Sequence, residues 1–239
     1  MRKFGLIGKH LSHSFSPKYF SEKFKQASIE DARYSAYELE HVEQFLDLMT
    51  DDLIGLNVTI PYKELIIPYM DELDNSALEV MAVNTIKNDN GFFIGYNTDT
   101  YGFERSLIDL LQSTLVENAL VFGSGGASKA IQFVLKKLGI NYQIVSRSGS
   151  LNYENLNIEV IRNNTLLVNT TPIGMYPETD ECIDIPYEGI GDNHFVFDLI
   201  YNPEKTLFLK RAEAQGAKIS NGHHMLIFQA EKSWEIWNQ

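Results

Sequence analysis

An α/β chain in two parts is what the sequence predicts, with a mixed sheet in the first part and a parallel sheet in the second. Three observations carry this. Short strand-like runs alternate with helix-like stretches over the first hundred residues. Two further strand-like runs, VNTIK and FFIGY, flank Asn88-Asp89-Asn90-Gly91, which has hairpin chemistry at Asn90-Gly91. After about residue 120 a strand, a glycine turn, a helix and a second strand follow one another directly, the pattern of a parallel βαβ unit. A length of 239 residues fits one large domain or two small ones.

In chain order, FGLIG (Phe4 to Gly8) reads as the first strand. SPKYFSEKFKQ follows as a helix, with Ser16 suited to the N-cap and Pro17 to the first helical position. ARYSAYEL is strand-like, HVEQFLDLM carries a helical stripe of Val42, Phe45, Leu46 and Met49, and LIGLNVT is the next strand. The hairpin places an antiparallel pair at one edge of the sheet. Phe103, Leu107, Leu110 and Leu111 mark a helix that bridges the two parts, and the polar QSTLVEN behind it reads as a linker. In ALVFGSGGASKAIQFVLKKLGINYQIVSRS the helix buries Ala127, Ile131, Val134, Leu135 and Leu138, and Gly139 ends it. TLLVNTT and HFVFDLIY supply further core strands.

Composition narrows the function classes. Twenty Lys and Arg against 32 Asp and Glu leave a net charge of −12, the wrong sign for a nucleic-acid or anionic-membrane partner. A single cysteine, Cys182, permits no internal disulfide and fits a reducing compartment. The amino terminus lacks the apolar core of a signal peptide, and no run approaches the length of a membrane span. The expected setting is the cytoplasm.

GSGGAS, Gly123 to Ser128, occupies the position of a dinucleotide fingerprint, after a strand and at the start of a helix. Gly123 permits the tight turn, Gly125 lets backbone approach a pyrophosphate, and the helix N-terminus offers free N–H groups. Ser128 stands where the third glycine is expected. A glycine turn with no ligand is the competing reading. An NAD site places an acid about 20 residues on, at the end of the second strand. Here that strand ends in Ser146-Arg147-Ser148, with no acid, and a guanidinium matches a 2′-phosphate. NADP(H) is therefore the expected cofactor, although no second Arg or Lys follows in SGSLNY.

Strand ends and turns of the first part carry small polar groups: Ser14 and Ser16, Asn57 and Thr59, Lys63, Asn84, and Asn97 with Asp99. They do not make a metal-ligand cluster, and the adjacent His223 and His224 point apart on regular structure. The inventory of hydrogen-bonding groups, one cation and one carboxylate suits a polyhydroxylated small acid. Singly, each residue has a plainer reading. Ser16 and Asp99 could only cap helices, Asn57 and Asn84 could only satisfy loop backbone, and Lys63 could be a solvated head.

SHSFSP, NVTIPYK, AVNTI, YNTDTYGF, GSGGASKA, NTTPIGM, DLIYNP and GHHMLIFQA occur in this order from Ser12 to Ala230. Together they resemble shikimate dehydrogenase, the NADP-linked family of aromatic amino-acid and chorismate biosynthesis. The resemblance implies an α/β substrate-binding domain with a mixed sheet and a Rossmann-like NADP-binding domain, with a cleft between them. The implied division is 1–98 plus 225–239 for substrate, and 99–224 for NADP, with a bridging helix at about 99–111. It implies that Lys63 and Asp99 are the catalytic pair. Ser14 and Ser16 would hold the substrate carboxylate, Thr59, Asn84 and Asp99 the ring hydroxyls, and Tyr201 and Gln229 would add substrate contacts. Gly123, Ser124, Gly125, Gly126, Ala127 and Ser128 would form the pyrophosphate turn. Ser146, Arg147 and Ser148 would hold the adenosine ribose. Thr170, Met175, Gly222 and Met225 would border the nicotinamide.

Three departures stand out: Ser146-Arg147-Ser148 replaces the family's usual Asn-Arg-Thr, Met81 replaces the glycine before AVNT, and His223-His224 interrupt a segment that is usually apolar. The implied reaction is reversible reduction of 3-dehydroshikimate to shikimate by a monomer or homodimer, without metal. Competing readings are a quinate/shikimate dehydrogenase using NAD or both cofactors, a methylene-tetrahydrofolate dehydrogenase of similar plan, and a non-catalytic NADP(H)-binding sensor. The paired serines and the NTD segment disfavour the second of these, and the presence of both Lys63 and Asp99 disfavours the third.

Overall fold

The computed structural model describes residues 1–12, 14–50 and 52–239, so His13 of the SHSFSP stretch and Asp51 lie outside the described residues. Two units emerge: Met1–Asp99 with Gln229–Gln239, and Thr100–Phe228.

Among the described residues of the first unit, β1 (Arg2–Gly8), β2 (Ala32–Glu38), β3 (Leu53–Val58), β4 (Glu72–Leu73), β5 (Thr85–Asp89) and β6 (Phe92–Tyr96) form one mixed sheet in the order β2-β1-β3-β5-β6-β4. β1 lies parallel to β2 and β3, whereas β5 runs antiparallel to both β3 and β6. Asn90 (φ 53°) and Gly91 (φ 92°) make the tight turn between β5 and β6, as the Asn-Gly pair predicts. The pair is not at the edge, however. The two-residue β4 runs parallel to β6 and covers it. A strand that short leaves no periodic signal to read.

Helices of this unit are α1 (Phe15–Gln26), α2 (Tyr62–Leu65) and α3 (Asn75–Val80), with a 3-10 helix at Val42–Leu48. α1 starts two residues earlier than Ser16-Pro17 suggests. Ser14 holds the cap position, and Ser16 lies buried inside the first turn. The helix buries Phe20 and Phe24, and Phe20 stacks on Tyr34 with centroids 4.4 Å apart. The far end of α8 (His223–Trp237) belongs here too. Trp237 seats its indole where Gly55 has no side chain: a Cβ there would lie 2.1 Å from Nε1. The indole N–H instead donates to Ile86 O at 2.9 Å. A stacked aromatic pair such as Phe20 with Tyr34 adds about 0.5–1.5 kcal/mol beyond the area it buries.

The second unit contains β7 (Asn118–Phe122), β8 (Asn141–Val145), β9 (Leu166–Asn169), β10 (Phe195–Asp198) and β11 (Lys218–Ser220), all parallel, in the order β11-β10-β9-β7-β8. Its three inner strands, β7, β9 and β10, are apolar on both faces. Ala119, Val121, Leu166 and Val168 join one core cluster, and Leu120, Phe122, Leu167 and Val196 join another. The period of two thus sorts one continuous apolar run into two cores, as a sheet covered on both sides requires.

α4 (Thr98–Leu111), α5 (Gly126–Lys137), α6 (Ile158–Asn163) and α7 (Leu207–Ala214) complete the fold. The boundary between units falls inside α4, after Asp99, and residues 112–117 simply join α4 to β7 within the second unit. QSTLVEN is therefore no domain linker. α5 buries Ser128, Ala130, Ile131, Val134 and Leu135, while Ala127 and Leu138 are exposed. Both lie on the apolar stripe by angle, but at its two ends. Periodicity says which way a residue faces, not whether anything covers it.

Candidate active site

Lys63 Nζ lies 2.6 Å from Asp99 Oδ2, a charge-assisted hydrogen bond between residues 36 apart in sequence. The side chains keep 29% and 16% of their surface, so the pair remains reachable. Each partner is held by its backbone. β3 ends at Val58, and Tyr62 is buried with its hydroxyl donating to Leu39 O at 2.5 Å. The Lys63 carbonyl accepts from Val83 N at 2.7 Å. The lysine head is thus presented from the short, pinned helix α2 rather than from a free loop. Asp99 does not cap α4. It is the second helical residue, and its carboxylate is turned to Lys63.

Asn84 supplies the helix start. Its Oδ1 accepts from Thr98 N at 2.7 Å, which satisfies an N–H that the first helical turn leaves open. Behind it runs a buried polar network. Asn57 Nδ2 donates to Asn84 O, Thr85 Oγ1 and Ser233 Oγ, and Asn57 Oδ1 accepts from Tyr34 OH at 2.8 Å. Ser233 Oγ also lies 3.2 Å from Thr98 Oγ1 and donates to Gln229 O. Asn57 is therefore a core tie with 3% exposure, not a group at a rim beside Lys63. Nothing in NVTIPYK separates these roles, because strand alternation alone decides which side chain turns inward.

The other residues expected to bind substrate fall in the same unit, apart from Tyr201. Among the described residues, the hydroxyls of Ser14 and Thr59 and the Nδ2 of Asn84 make no hydrogen bond. Ser16 differs: it is buried beside the Tyr34 phenol, whose pKa burial raises while Ser16 pulls it the other way. Gln229 is buried on α8.

In the second unit, Gly123 has φ 104°, a left-handed conformation, and a Cβ there would sit 2.7 Å from Thr170 Oγ1. At Gly125 a Cβ would meet nothing within 4 Å, so open space lies directly before this backbone. Gly125 holds the cap position of α5, and Ser124, Gly126 and Ala127 are exposed around it. Ser128 is fully buried and its Oγ accepts from Gln132 Nε2 at 3.0 Å, so a serine serves at the close-packed third position. The turn opens on a cavity of about 640 Å³ that Ser146, Arg147, Ser148 and Thr170 also line. Arg147 is exposed and forms no ion pair or hydrogen bond with the described residues.

Thr170 Oγ1 donates to Phe122 O at 2.7 Å. Asn169 and Asp198 join the ends of β9 and β10: Asp198 accepts from Asn169 Nδ2, Ile200 N and Thr206 Oγ1. Burial outweighs these three donors and pushes the Asp198 carboxyl up to about 6. Tyr201 follows directly, half-buried, with its phenol pushed up by burial. Met175 is exposed and Met225 is buried in the first core cluster. Gly222 lies where a Cβ would be 2.0 Å from Leu199 O. No group of three or more metal-ligating side chains occurs among the described residues.

The profile of the shikimate dehydrogenase substrate binding domain matches residues 6–86. A curated relative, the shikimate dehydrogenase (NADP(+)) of Methanococcus maripaludis, is 40% identical over 98% of this chain and 90% of its own length. The chain belongs to the shikimate dehydrogenase family. A shikimate dehydrogenase from Thermus thermophilus, solved with NADP(H) and shikimate, superposes with a TM-score of 0.86 at 29% identity, covering 99% of this chain and 93% of the other. A quinate dehydrogenase from Corynebacterium glutamicum, solved with NAD, superposes with a TM-score of 0.90 at 26% identity, covering 99% and 93%.

For a shikimate dehydrogenase that depends on a dinucleotide, the residues present fit the group. Open backbone at Gly125, the N-terminus of a twelve-residue helix and an unpaired guanidinium surround one cavity. Sequence reasoning missed several of its lining residues, among them Tyr153, Thr171, Cys182 and Asp184. Tyr153 ends the stretch SGSLNY, but an uncharged side chain carries no sequence signal for a phosphate. Cys182 and Asp184 come from the irregular segment after β9, where no pattern indicates direction.

Proposed function

We propose that this chain catalyses the reversible reduction of 3-dehydroshikimate to shikimate with NADPH, the first unit binding the substrate and the second the cofactor. The Lys63–Asp99 pair at 2.6 Å carries this reading, because it couples a proton donor to a carboxylate within reach of solvent. NADPH, when bound, supplies the hydride that the ring carbonyl carbon takes. The carbonyl oxygen then gains negative charge and needs a proton. Lys63 would donate that proton and hold the developing charge meanwhile. Asp99 fixes the ammonium and accepts from the alcohol that forms. In the reverse direction Lys63 takes that proton back. Ser14 and Ser16 are the expected partners of the substrate carboxylate, and Thr59, Asn84 and Gln229 those of its hydroxyls. Tyr201 is a further expected substrate contact.

Ser146, Arg147 and Ser148 would hold the 2′-phosphorylated ribose, and Gly123 to Ala127 the pyrophosphate. Thr170, Met175, Gly222 and Met225 would border the nicotinamide. The test is absorbance at the nicotinamide band with shikimate and NADP+, run beside quinate and NAD+. Rapid NADP+ reduction with shikimate is expected, with quinate or NAD+ slower. Dinucleotide binding without turnover of any such acid would refute the enzyme reading.

A further inference from the structure

The dinucleotide cavity holds one aromatic hydroxyl that the reading above does not use. Tyr153 lines the same cavity as Arg147 and the glycine turn. Its ring lies nearly parallel to Phe122, with centroids 6.5 Å apart and an interplanar angle of 21°. Phe122 is fully buried at the end of β7, so it fixes the plane and position of the tyrosine. The hydroxyl makes no hydrogen bond to any described residue, although the side chain is half-buried. Burial raises this phenol, while the Arg147 charge pulls it the other way, so the guanidinium field reaches the hydroxyl. A half-buried hydroxyl without a partner forgoes a hydrogen bond that a ligand can restore.

The segment around it offers no alternative donor of charge. Between Arg147 and Tyr153 stand Ser148, Gly149, Ser150, Leu151 and Asn152, with no Lys or Arg. A 2′-phosphate seated at Arg147 leaves acceptor oxygens that one guanidinium does not satisfy. A phenolic O–H is a suitable second donor because it carries no charge and its ring is already held.

We propose that the Tyr153 hydroxyl is a second recognition group for the 2′-phosphate of NADP(H), acting beside Arg147 and setting the preference for NADP over NAD. This rests on the assignment of the cavity to NADP(H). Tyr153 is then a specificity residue, remote from the hydride chemistry, and its ring is a fixed wall that serves both dinucleotides alike.

The experiment is titration calorimetry of NADP+ and NAD+ on the full chain and on Tyr153→Phe, which needs no turnover. Phenylalanine keeps the packing on Phe122 and removes only the hydroxyl. A hydrogen bond to a charged phosphate predicts an NADP+ Kd raised on the order of tenfold, with the NAD+ Kd unchanged. Equal weakening of both would overturn the proposal and make the residue a stacking wall. No change in either would overturn it as well. Wild-type protein that fails to bind NADP+ would refute the cavity assignment instead, and the two failures are thereby distinct. Unfolding midpoints of the two proteins, expected to coincide, guard against a misfolded variant.

Discussion

The first unit presents its chemistry as side chains, and the second presents it as backbone. Lys63, Asp99 and Asn84 are aimed by bonds that converge from α2, α4 and the residue before β5, with Asn57, Thr85 and Ser233 locked behind them. The glycine turn needs no such network. Gly123 takes a left-handed conformation, Gly125 leaves open space, and the helix start supplies the N–H groups. Side-chain sites depend on many distant residues agreeing. Backbone sites depend on a few adjacent residues being small. The two should therefore fail in different ways when altered.

The largest expected effect is at Lys63. Lys63→Ala should lower kcat by about 10²–10⁴-fold while the substrate KM moves little, since the group acts on the developing charge. Steady-state rates check this, and near wild-type turnover would remove Lys63 from the mechanism. Asp99→Asn should follow, with kcat down by roughly tenfold or more. Because Asp99 caps nothing, the unfolding midpoint should hardly move. A large loss of stability without loss of rate per folded molecule would restore the helix-cap role.

The glycine turn offers a sharper contrast within itself. Gly123→Ala forces a Cβ to 2.7 Å from Thr170 Oγ1 at φ 104°, so about 1–3 kcal/mol of stability should be lost in a urea titration. Gly125→Ala meets nothing, so stability should hold while NADP+ affinity falls. If Gly125→Ala binds NADP+ as well as wild type does, the pyrophosphate does not approach that backbone.

The smallest effect is a pH dependence at Asp198. Its folded carboxyl is pushed up to about 6 from 3.8, so the stability it contributes is fully present below 3.8 and is lost as pH rises through 6. From pH 5 to pH 7 this amounts to a loss of about 1 kcal/mol. Asp198→Asn should remove that part of the slope, read as the difference between unfolding midpoints at the two pH values.

How much of this was legible follows from the same contrast. GSGGAS announced its strand, turn and helix because adjacent residues made all three, and Arg147 was found by counting from them. Lys63 and Asp99 were legible only through ordered motifs that resemble a family, since 36 residues separate them. Asn57 misled because a polar residue in a strand looks the same whether it faces a ligand or a core. Tyr153 was not legible because an uncharged side chain does not mark a phosphate site. β4 was too short to see.

By itself, the sequence determined the α/β class, the parallel second half, the hairpin at Asn90-Gly91 and the phosphate-type turn at Gly123 to Ser128. Each depends on residues within a few positions of one another, where periodicity and glycine conformation act directly. Tertiary structure alone decided that Lys63 meets Asp99, that Asn57 ties to Tyr34 and Ser233, and that Tyr153 shares a cavity with Arg147. These are meetings of side chains from separate elements. Only the packing of sheets and helices sets such distances, and no local pattern encodes them.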